Sequence, residues 1–322
     1  NLMLYLLFHQ LVFVFVLFLN FLLHHSNYLF FHLKILHLLF VYHYLFYMQK
    51  MGVSPSMPKS KRIKAEELFE NFDAFFFDAF GTLYNRNGFV YPGAREFISK
   101  LRGMGKEIRL LTNAAHDEQE LSEELRNMGF PIAPSEIYSS GKFLSAVVET
   151  YGFKNAYFLG RDSGRILLER SGIEIRENPD LPVVVICSTE ISTKKIERAT
   201  EILKSRESLL VVLNPDACAP EVDGSRSDVS GLQAFRLQQQ TNCKTEWKGK
   251  PFSDVFYQAL KSISPKSRVV MIGDTLGTDV VGAKKVGISS CLVMGRNMRE
   301  ETFAEDCESL KVTPDFIIEG FA

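Results

Sequence analysis

Short apolar runs alternate with amphipathic stretches along the chain from Phe72 onward. Several runs contain no polar residue, which is typical of strands that are covered on both faces. Between the runs, apolar residues recur at helical spacing, as Leu121 and Leu125 do. Strands that alternate with helices predict a parallel sheet, so the expected fold class is α/β with a doubly wound parallel-sheet core. The runs are Ala74–Phe77, Tyr157–Leu159, Val183–Cys187, Leu209–Leu213 and Val269–Ile272.

A second alternating set of strands and helices interrupts this core. It runs from Lys142 to Glu246 and predicts an inserted α/β domain. The Asn87-Gly88 pair, flanked by larger side chains, predicts a small hairpin after Thr82. The expected organisation is an apolar segment (1–50), a linker (51–64), a first core part (65–141), the inserted domain (142–246) and a second core part (247–322).

Polar side chains stand where the apolar runs end. Asp78 follows the first run, Thr112-Asn113 the next strand, and Asp274 the run that ends at Ile272-Gly273. In open parallel sheets the ligand crevice lies outside the carboxyl ends of the strands. Each residue alone also has an ordinary explanation, because Asp is a common turn former and an acid such as Asp279 favours the start of a helix. Lys250 before Pro251 could likewise be a solvated linker lysine.

Taken together and in order, these pieces resemble the four motifs of the haloacid dehalogenase (HAD) superfamily. The resemblance covers roughly Phe72 to Ile318. Only 34 residues separate Asp78 from Thr112, whereas 138 separate Thr112 from Lys250, which leaves room for a domain only after the second motif. That position resembles the α/β cap of subclass IIA, the group of NagD and the nitrophenylphosphatases. Helical-cap dehalogenases resemble this chain only around Asp78, which makes metal-independent dehalogenation the less favoured reading.

The resemblance implies a Mg²⁺-dependent phosphatase that acts on a small phosphorylated metabolite through an aspartyl-phosphate. It assigns catalytic roles to Asp78, Lys250 and Thr112. It assigns the metal ion to Asp78, Asp274 and the backbone carbonyl of Phe80, with Asp279 behind them. The residues expected to bind phosphate or substrate are Thr112, Asn113, Lys250, Gly81, Asn214 and Asp216.

Phe80 departs from the family pattern. Phosphatases of the superfamily usually carry an Asp two residues after the nucleophile, where it protonates the leaving oxygen and then activates water. Phenylalanine can do neither, and general acid–base catalysis contributes roughly 10²–10⁴-fold to a rate. Three outcomes stay open. The protein is a slow phosphatase or one restricted to esters with good leaving groups, or another residue (Asp216, Asp223 or Tyr84) supplies the proton. In the third outcome, the protein binds phosphate ligands without turning them over.

Charge and cysteine content exclude several classes of partner. The formal net charge of −1 gives no reason to expect a nucleic acid partner. The five cysteines form no Cys-x-x-Cys pair, so neither a zinc site nor a disulfide framework is indicated, and a cytoplasmic, reducing compartment is expected. The resemblance to subclass IIA adds a possible homodimer through the cap.

The first fifty residues differ in composition from the rest. Residues 1–49 hold one charged side chain, Lys34, and no Asp, Glu, Arg, Gly, Ala or Pro. Leu2 to Leu23 is close to the ~20 residues that a membrane-spanning helix needs. The segment lacks the basic start and the Ala-x-Ala site of a signal peptide. Its residue types are those of T- and A-rich codons, so a non-coding stretch read in frame is a second explanation beside a membrane anchor. Membrane association is expected only if the segment belongs to the protein.

Overall fold

The structure is a computed structural model that describes residues 60–187 and 192–322. The predictions for residues 1–50 lie outside the described residues. The strands are β1 (Lys61–Arg62), β2 (Ala74–Phe77), β3 (Tyr84–Asn85), β4 (Phe89–Val90), β5 (Glu107–Thr112), β6 (Ile137–Ser139), β7 (Asn155–Leu159), β8 (Glu174–Ile175), β9 (Val183–Ile186), β10 (Leu209–Val212), β11 (Cys218–Pro220), β12 (Arg226–Asp228), β13 (Lys244–Trp247), β14 (Val269–Gly273), β15 (Ser289–Val293) and β16 (Phe316–Ile318).

The helices alternate with these strands. They are α1 (Leu68–Asn71), α2 (Ala94–Gly103), α3 (Glu118–Asn127), α4 (Leu144–Tyr151), α5 (Asp162–Arg170), α6 (Thr193–Leu203), α7 (Ser230–Thr241), α8 (Ser253–Lys261), α9 (Val281–Lys285) and α10 (Glu300–Leu310). A π-helical turn, Leu276–Val280, leads into α9. Within the two described ranges, no helix combines the length and the apolar character needed to cross a membrane.

The first sheet contains seven parallel strands in the order β1-β16-β15-β14-β2-β5-β6. Strand β2 lies between β14 and β5, with Phe77 opposite Ile272 on one side and Leu110 on the other. Phe75 and Phe77 pack into one apolar cluster and Phe76 into another, because successive side chains of a strand point to opposite faces. Both faces of the sheet are therefore covered, and the predicted α/β parallel-sheet fold is confirmed.

The second sheet contains five parallel strands in the order β13-β10-β9-β7-β8. Val183 and Val185 of β9 pack with residues of α4 and α5, whereas Val184 and Ile186 pack with residues of α6 and α7. This sheet therefore has its own core on each face. It is built from chain that lies between β6 and β14 of the first sheet.

Two stretches that read as irregular contain strands. The polar stretch Pro220–Ser230 contains no apolar run and favours a loop by its sequence, but residues on both sides of its turn pair as the antiparallel hairpin β11–β12, and α7 begins at Ser230. Lys61–Arg62, which fall in the predicted linker, pair with β16 at the sheet edge. Strands this short and this polar carry no periodic hydrophobic signal, because tertiary pairing rather than burial defines them. The predicted hairpin around Asn87-Gly88 is confirmed as β3–β4.

Candidate active site

The carboxyl ends of three neighbouring strands bring the predicted motifs together. Asp78 directly follows β2, Thr112 ends β5 and Asp274 directly follows β14. All three line one cleft of about 360 Å³, together with Lys250 and Asp279. The backbone N–H of Asp78 donates to the carbonyl of Ile272 (2.9 Å), so the parallel pairing continues up to this carboxylate.

Lys250 joins two of the acids. Its Nζ lies 2.5 Å from Asp78 Oδ1 and 2.7 Å from Asp279 Oδ1, and its side chain is only 2% exposed. Burial alone would lower the pKa of Lys250, but Asp279 and Asp78 outweigh it and raise that pKa above its ordinary value. The ammonium group is therefore held charged between the two carboxylates. The solvated-linker explanation of Lys250 is wrong.

The three acids are crowded. One carboxylate oxygen each from Asp78, Asp274 and Asp279 lies within 4.8 Å of the others. Burial, then the charges of Asp78 and Asp279, raise the pKa of Asp274 well above its usual value. Burial also raises the pKa of Asp279 to about 7, against the opposing effect of Lys250. One lysine does not compensate this much buried negative charge.

Asp274 has an oxygen without a hydrogen bond. Its Oδ2 is buried and has no partner among the described residues, while Oδ1 accepts from the Thr275 hydroxyl (3.0 Å). Such orphaned buried oxygens are rare in folded proteins. Gly81 faces this oxygen at φ +87°, and a Cβ there would overlap Asp274 Oδ2. An orphaned oxygen within a group of carboxylates fits a hard dication such as Mg²⁺, which prefers oxygen ligands.

Asn113 holds Lys250 in place rather than offering its side chain to a ligand. Asn113 Oδ1 accepts from the backbone N–H of Lys250 (2.7 Å), and Nδ2 donates to the Lys250 carbonyl (2.9 Å) and to Asp216 Oδ1 (2.8 Å). These bonds use both amide hydrogens. The Thr112 hydroxyl oxygen accepts from the Ala114 N–H (3.1 Å), which leaves its hydrogen for the cleft.

The inserted segment and the β3–β4 hairpin also contribute to the cleft. Asn214, Asp216 and Pro220 line it together with Asp78. The side chain of Asn85 donates to the carbonyl of Pro220 (3.2 Å), and Arg86 pairs with Glu221 (2.9 Å). These contacts tie the two hairpins to each other.

Asn214 and Asp216 belong to one turn. The backbone N–H of Asp216 donates to Asn214 Oδ1 (3.0 Å), so Asn214 shapes the loop with its own side chain. Burial raises the pKa of Asp216 to about 6, reinforced by Asp78 and opposed by Lys250 and the hydrogen bond from Asn113. Among the described residues of the inserted segment, Asp216 supplies a carboxyl group to the cleft lining.

Phe80 lines the cleft where the family pattern expects a carboxylate. Its ring meets that of Tyr84 edge to face at 6.0 Å between centroids. Of the proposed substitutes, Asp223 is wrong: it is exposed, lies outside the cleft lining and accepts from the Ser225 N–H. Tyr84 lies in the cleft, but burial, then the charges of Glu124 and Asp78, raise its pKa above the usual value and weaken it as an acid.

A chain of hydrogen bonds that sequence reasoning missed reaches Asp274. Asn297 Nδ2 donates to Thr275 Oγ1 (2.7 Å), whose hydroxyl donates to Asp274 Oδ1 (3.0 Å). On its other side, Asn297 Oδ1 lies 3.6 Å from the sulfur of Cys218 in β11. Asn297 stands just beyond the carboxyl end of β15, so the strand-end rule used for the other motifs could have identified it.

Comparisons with known proteins agree with this architecture. A model of haloacid dehalogenase-like hydrolases matches residues 75–174, and a second HAD-hydrolase-like model matches residues 247–322. Together the two matches cover more than half of the chain and both carry cleft residues, Asp78 in the first and Lys250 in the second.

Three similar proteins are named phosphatases. The chain is 26% identical over 227 residues to a phospholysine phosphohistidine inorganic pyrophosphate phosphatase of Xenopus laevis, covering 68% of this chain and 82% of that protein. It is 25% identical to a glycerol-3-phosphate phosphatase of Mus musculus, covering 80% and 92%. The solved structure of a 4-nitrophenylphosphatase from Thermotoga maritima superposes with a TM-score of 0.65 at 26% identity, covering 79% of this chain and 96% of that one. By its motifs, its fold and these relatives, the chain belongs to the haloacid dehalogenase-like hydrolases, in subclass IIA.

Proposed function

We propose that the protein is a Mg²⁺-dependent phosphoric monoester phosphatase that forms an aspartyl-phosphate at Asp78. Its expected substrate is a small phosphorylated metabolite. The names of the relatives support a phosphatase. The cleft volume of about 360 Å³ suits a small ligand, since ligand pockets usually measure ~300–1,000 Å³.

The observation that carries the proposal is the pairing of Asp78 with a buried lysine beside an acid that has an unsatisfied oxygen. Lys250 pairs with Asp78 and would neutralise a phosphate oxygen placed next to it. Asp78 stands at the open end of its strand, where a phosphorus atom can approach it. A carboxylate placed in this way can act as a nucleophile and split one difficult displacement into two easier ones.

Asp78, Asp274 and the backbone carbonyl of Phe80 would hold the metal ion. When bound, Mg²⁺ neutralises the charge of the carboxylates and of the transferred phosphoryl group. Asp279 stays behind these ligands, since its Oδ1 accepts from Lys250 and its Oδ2 from the backbone N–H of Thr275 (3.1 Å). The Thr112 hydroxyl and the backbone N–H groups after Asp78 would donate to phosphate oxygens.

The test is phosphate release from p-nitrophenyl phosphate, with Mg²⁺ and with a chelator. We expect turnover that requires Mg²⁺ and that Asp78→Asn abolishes, because an amide is not a nucleophile toward phosphorus. The matched control is Asp73→Asn, which removes a carboxylate at the opposite end of the same strand, where it pairs with Arg268. This control should keep its activity. Full activity in Asp78→Asn would remove Asp78 from the role.

The phenylalanine at position 80, which cannot act as an acid or a base, supports a second candidate function. In this candidate the protein binds Mg²⁺ and phosphate ligands without turning them over. The proposed ligands do not need a carboxyl group at position 80, because only the main-chain oxygen is used there. This candidate predicts metal and phosphate binding with no phosphate release from activated esters. Release of more than one phosphate per protein molecule would contradict it.

A further inference from the structure

We propose that Asp216 donates the proton to the leaving group. It would thus perform the role that the family pattern gives to an Asp at position 80, where this chain has Phe80. The proposal rests on the phosphatase function above. It names a catalytic residue on the inserted segment, not on the strand ends of the first sheet.

The proton donor must reach the leaving oxygen inside the cleft that Asp78 lines. Attacking and leaving oxygens stand roughly in line on opposite sides of the phosphorus. Asp78 attacks from the strand ends of the first sheet, so the leaving oxygen points away from Asp78 and into the cleft. Asp216 lines this same cleft, on the loop that follows β10 of the second sheet.

Asp216 is fixed in position by three hydrogen bonds. Its N–H donates to Asn214 Oδ1 (3.0 Å), and its carbonyl accepts from the N–H of Gly231 (3.0 Å). Its carboxylate accepts from Asn113 Nδ2 (2.8 Å). The same amide group of Asn113 holds the backbone of Lys250, so one side chain positions both the lysine beside the nucleophile and the proposed acid.

The surroundings of Asp216 favour a carboxyl group that exchanges its proton near neutral pH. Burial raises its pKa to about 6, Asp78 adds to this effect, and Lys250 and Asn113 limit it. General acids work best when their pKa lies near the working pH. The other two candidates are less suited to this role. The pKa of Tyr84 is raised above the usual value of tyrosine, and Asp223 does not line the cleft.

The proposed reaction has two steps, and Asp216 exchanges a proton in each of them. An oxygen of Asp78 forms a bond to phosphorus as the bond from phosphorus to the ester oxygen breaks. The carboxyl proton of Asp216 passes to that oxygen, which leaves as the alcohol. Water then attacks the phosphorus of the aspartyl-phosphate as the bond from phosphorus to the Asp78 oxygen breaks, and the water gives one proton to the Asp216 carboxylate. Inorganic phosphate, ionised Asp78 and protonated Asp216 result.

A leaving-group comparison tests the assignment. Asp216→Asn is assayed with glycerol phosphate, whose alkoxide needs a proton, and with p-nitrophenyl phosphate, whose phenolate does not. We expect kcat for glycerol phosphate to fall by about 10²–10⁴-fold, the usual contribution of a general acid, and kcat for p-nitrophenyl phosphate to fall by less than about tenfold. Asp223→Asn, which removes an exposed carboxylate of the neighbouring hairpin loop, should leave both rates unchanged.

A double variant separates a proton donor from a structural residue. Phe80→Asp combined with Asp216→Asn places a carboxyl group at the position where the family pattern has its acid, and we expect it to restore most of the lost rate with glycerol phosphate. Equal losses with both esters, or a rise in KM alone, would overturn the assignment to Asp216 while leaving the phosphatase function intact. No Asp78-dependent release from p-nitrophenyl phosphate by the unmodified protein would overturn the phosphatase function and this assignment with it.

Discussion

The two walls of the cleft differ in how their polar groups are held. On the wall around the strand end that carries Asp78, the side chains of Asp78, Lys250 and Asp279 are almost fully buried, and Lys250 pairs with both acids. On the wall made by the inserted segment, Asn214 and Asp216 are only half-buried and are held mainly by hydrogen bonds to neutral groups.

This difference separates the fixed part of the chemistry from the adaptable part. Removing one partner from a buried ion pair leaves an uncompensated charge, so residues of the first wall cannot change singly without a large cost. A half-buried turn with neutral hydrogen bonds tolerates substitution at lower cost. The second wall can therefore change at lower cost, and it is the wall on which we propose the proton donor.

Lys250→Met should have the largest effect. The apolar side chain leaves Asp78, Asp274 and Asp279 crowded without a cation, so we expect loss of activity and a decrease of about 3–5 kcal/mol in the free energy of unfolding. Denaturant unfolding in a chelator measures this. As a matched control, Lys284→Met removes a lysine whose pairing with Asp315 is more than a third exposed, and should cost at most about 1 kcal/mol. Equal decreases in the free energy of unfolding for both variants would contradict the difference between the buried and the exposed ion pair.

Asn297→Ala should have an intermediate effect, on metal affinity. It removes the donor that orients Thr275 against Asp274, and such supporting hydrogen bonds usually change metal affinity by about 10–100-fold. Titration calorimetry with Mg²⁺ measures the change directly. Asn127→Ala, on the exposed end of α3, is the control and should bind Mg²⁺ like the unmodified protein. Unchanged affinity in Asn297→Ala would show that the chain of hydrogen bonds does not support a metal ligand.

The smallest expected effect is on the pH dependence of stability. The folded protein raises the pKa of Asp216 to about 6 from an ordinary value of 3.8, so the folded state keeps this proton where the unfolded state has lost it. The stabilisation is present below pH ~4 and is lost as pH rises through about 6. In a chelator, we therefore expect the Tm of Asp216→Asn minus the Tm of the unmodified protein to increase from pH 4.5 to pH 7.5.

Asp223→Asn is the control for this pH series. Hydrogen bonds from Ser225 lower the pKa of Asp223, so its contribution is lost toward acid pH instead. A Tm difference for Asp216→Asn that stays flat with pH would contradict a raised pKa at Asp216.

The sequence predicted the site best where a motif residue directly follows one apolar strand. Asp78, Thr112 and Asp274 were predicted to meet because each ends an apolar run, and parallel strands of one sheet end at the same edge. Strands β2, β9, β10 and β14 are buried on both faces, and their apolar runs predicted them well.

The remaining features depend on contacts between distant parts of the chain. Three-residue strands such as β11 and β12 have too few positions for a period, and only their pairing creates them. The role of Asn113 as a holder of Lys250 and Asp216 joins residues more than a hundred positions apart. The exposure of Asp223 and the place of Asp216 in the cleft, two acids only seven positions apart, were likewise not distinguishable before the fold was known.

The most direct test of the account is a search for phosphate on Asp78. The protein would be mixed with Mg²⁺ and p-nitrophenyl phosphate, quenched in acid within the first turnover, and analysed by peptide mass spectrometry. We expect one phosphoryl group on the peptide that contains Asp78, labile to hydroxylamine and absent from Asp78→Asn. Multiple turnovers with no phosphorylated peptide, or with phosphate on a different residue, would contradict it.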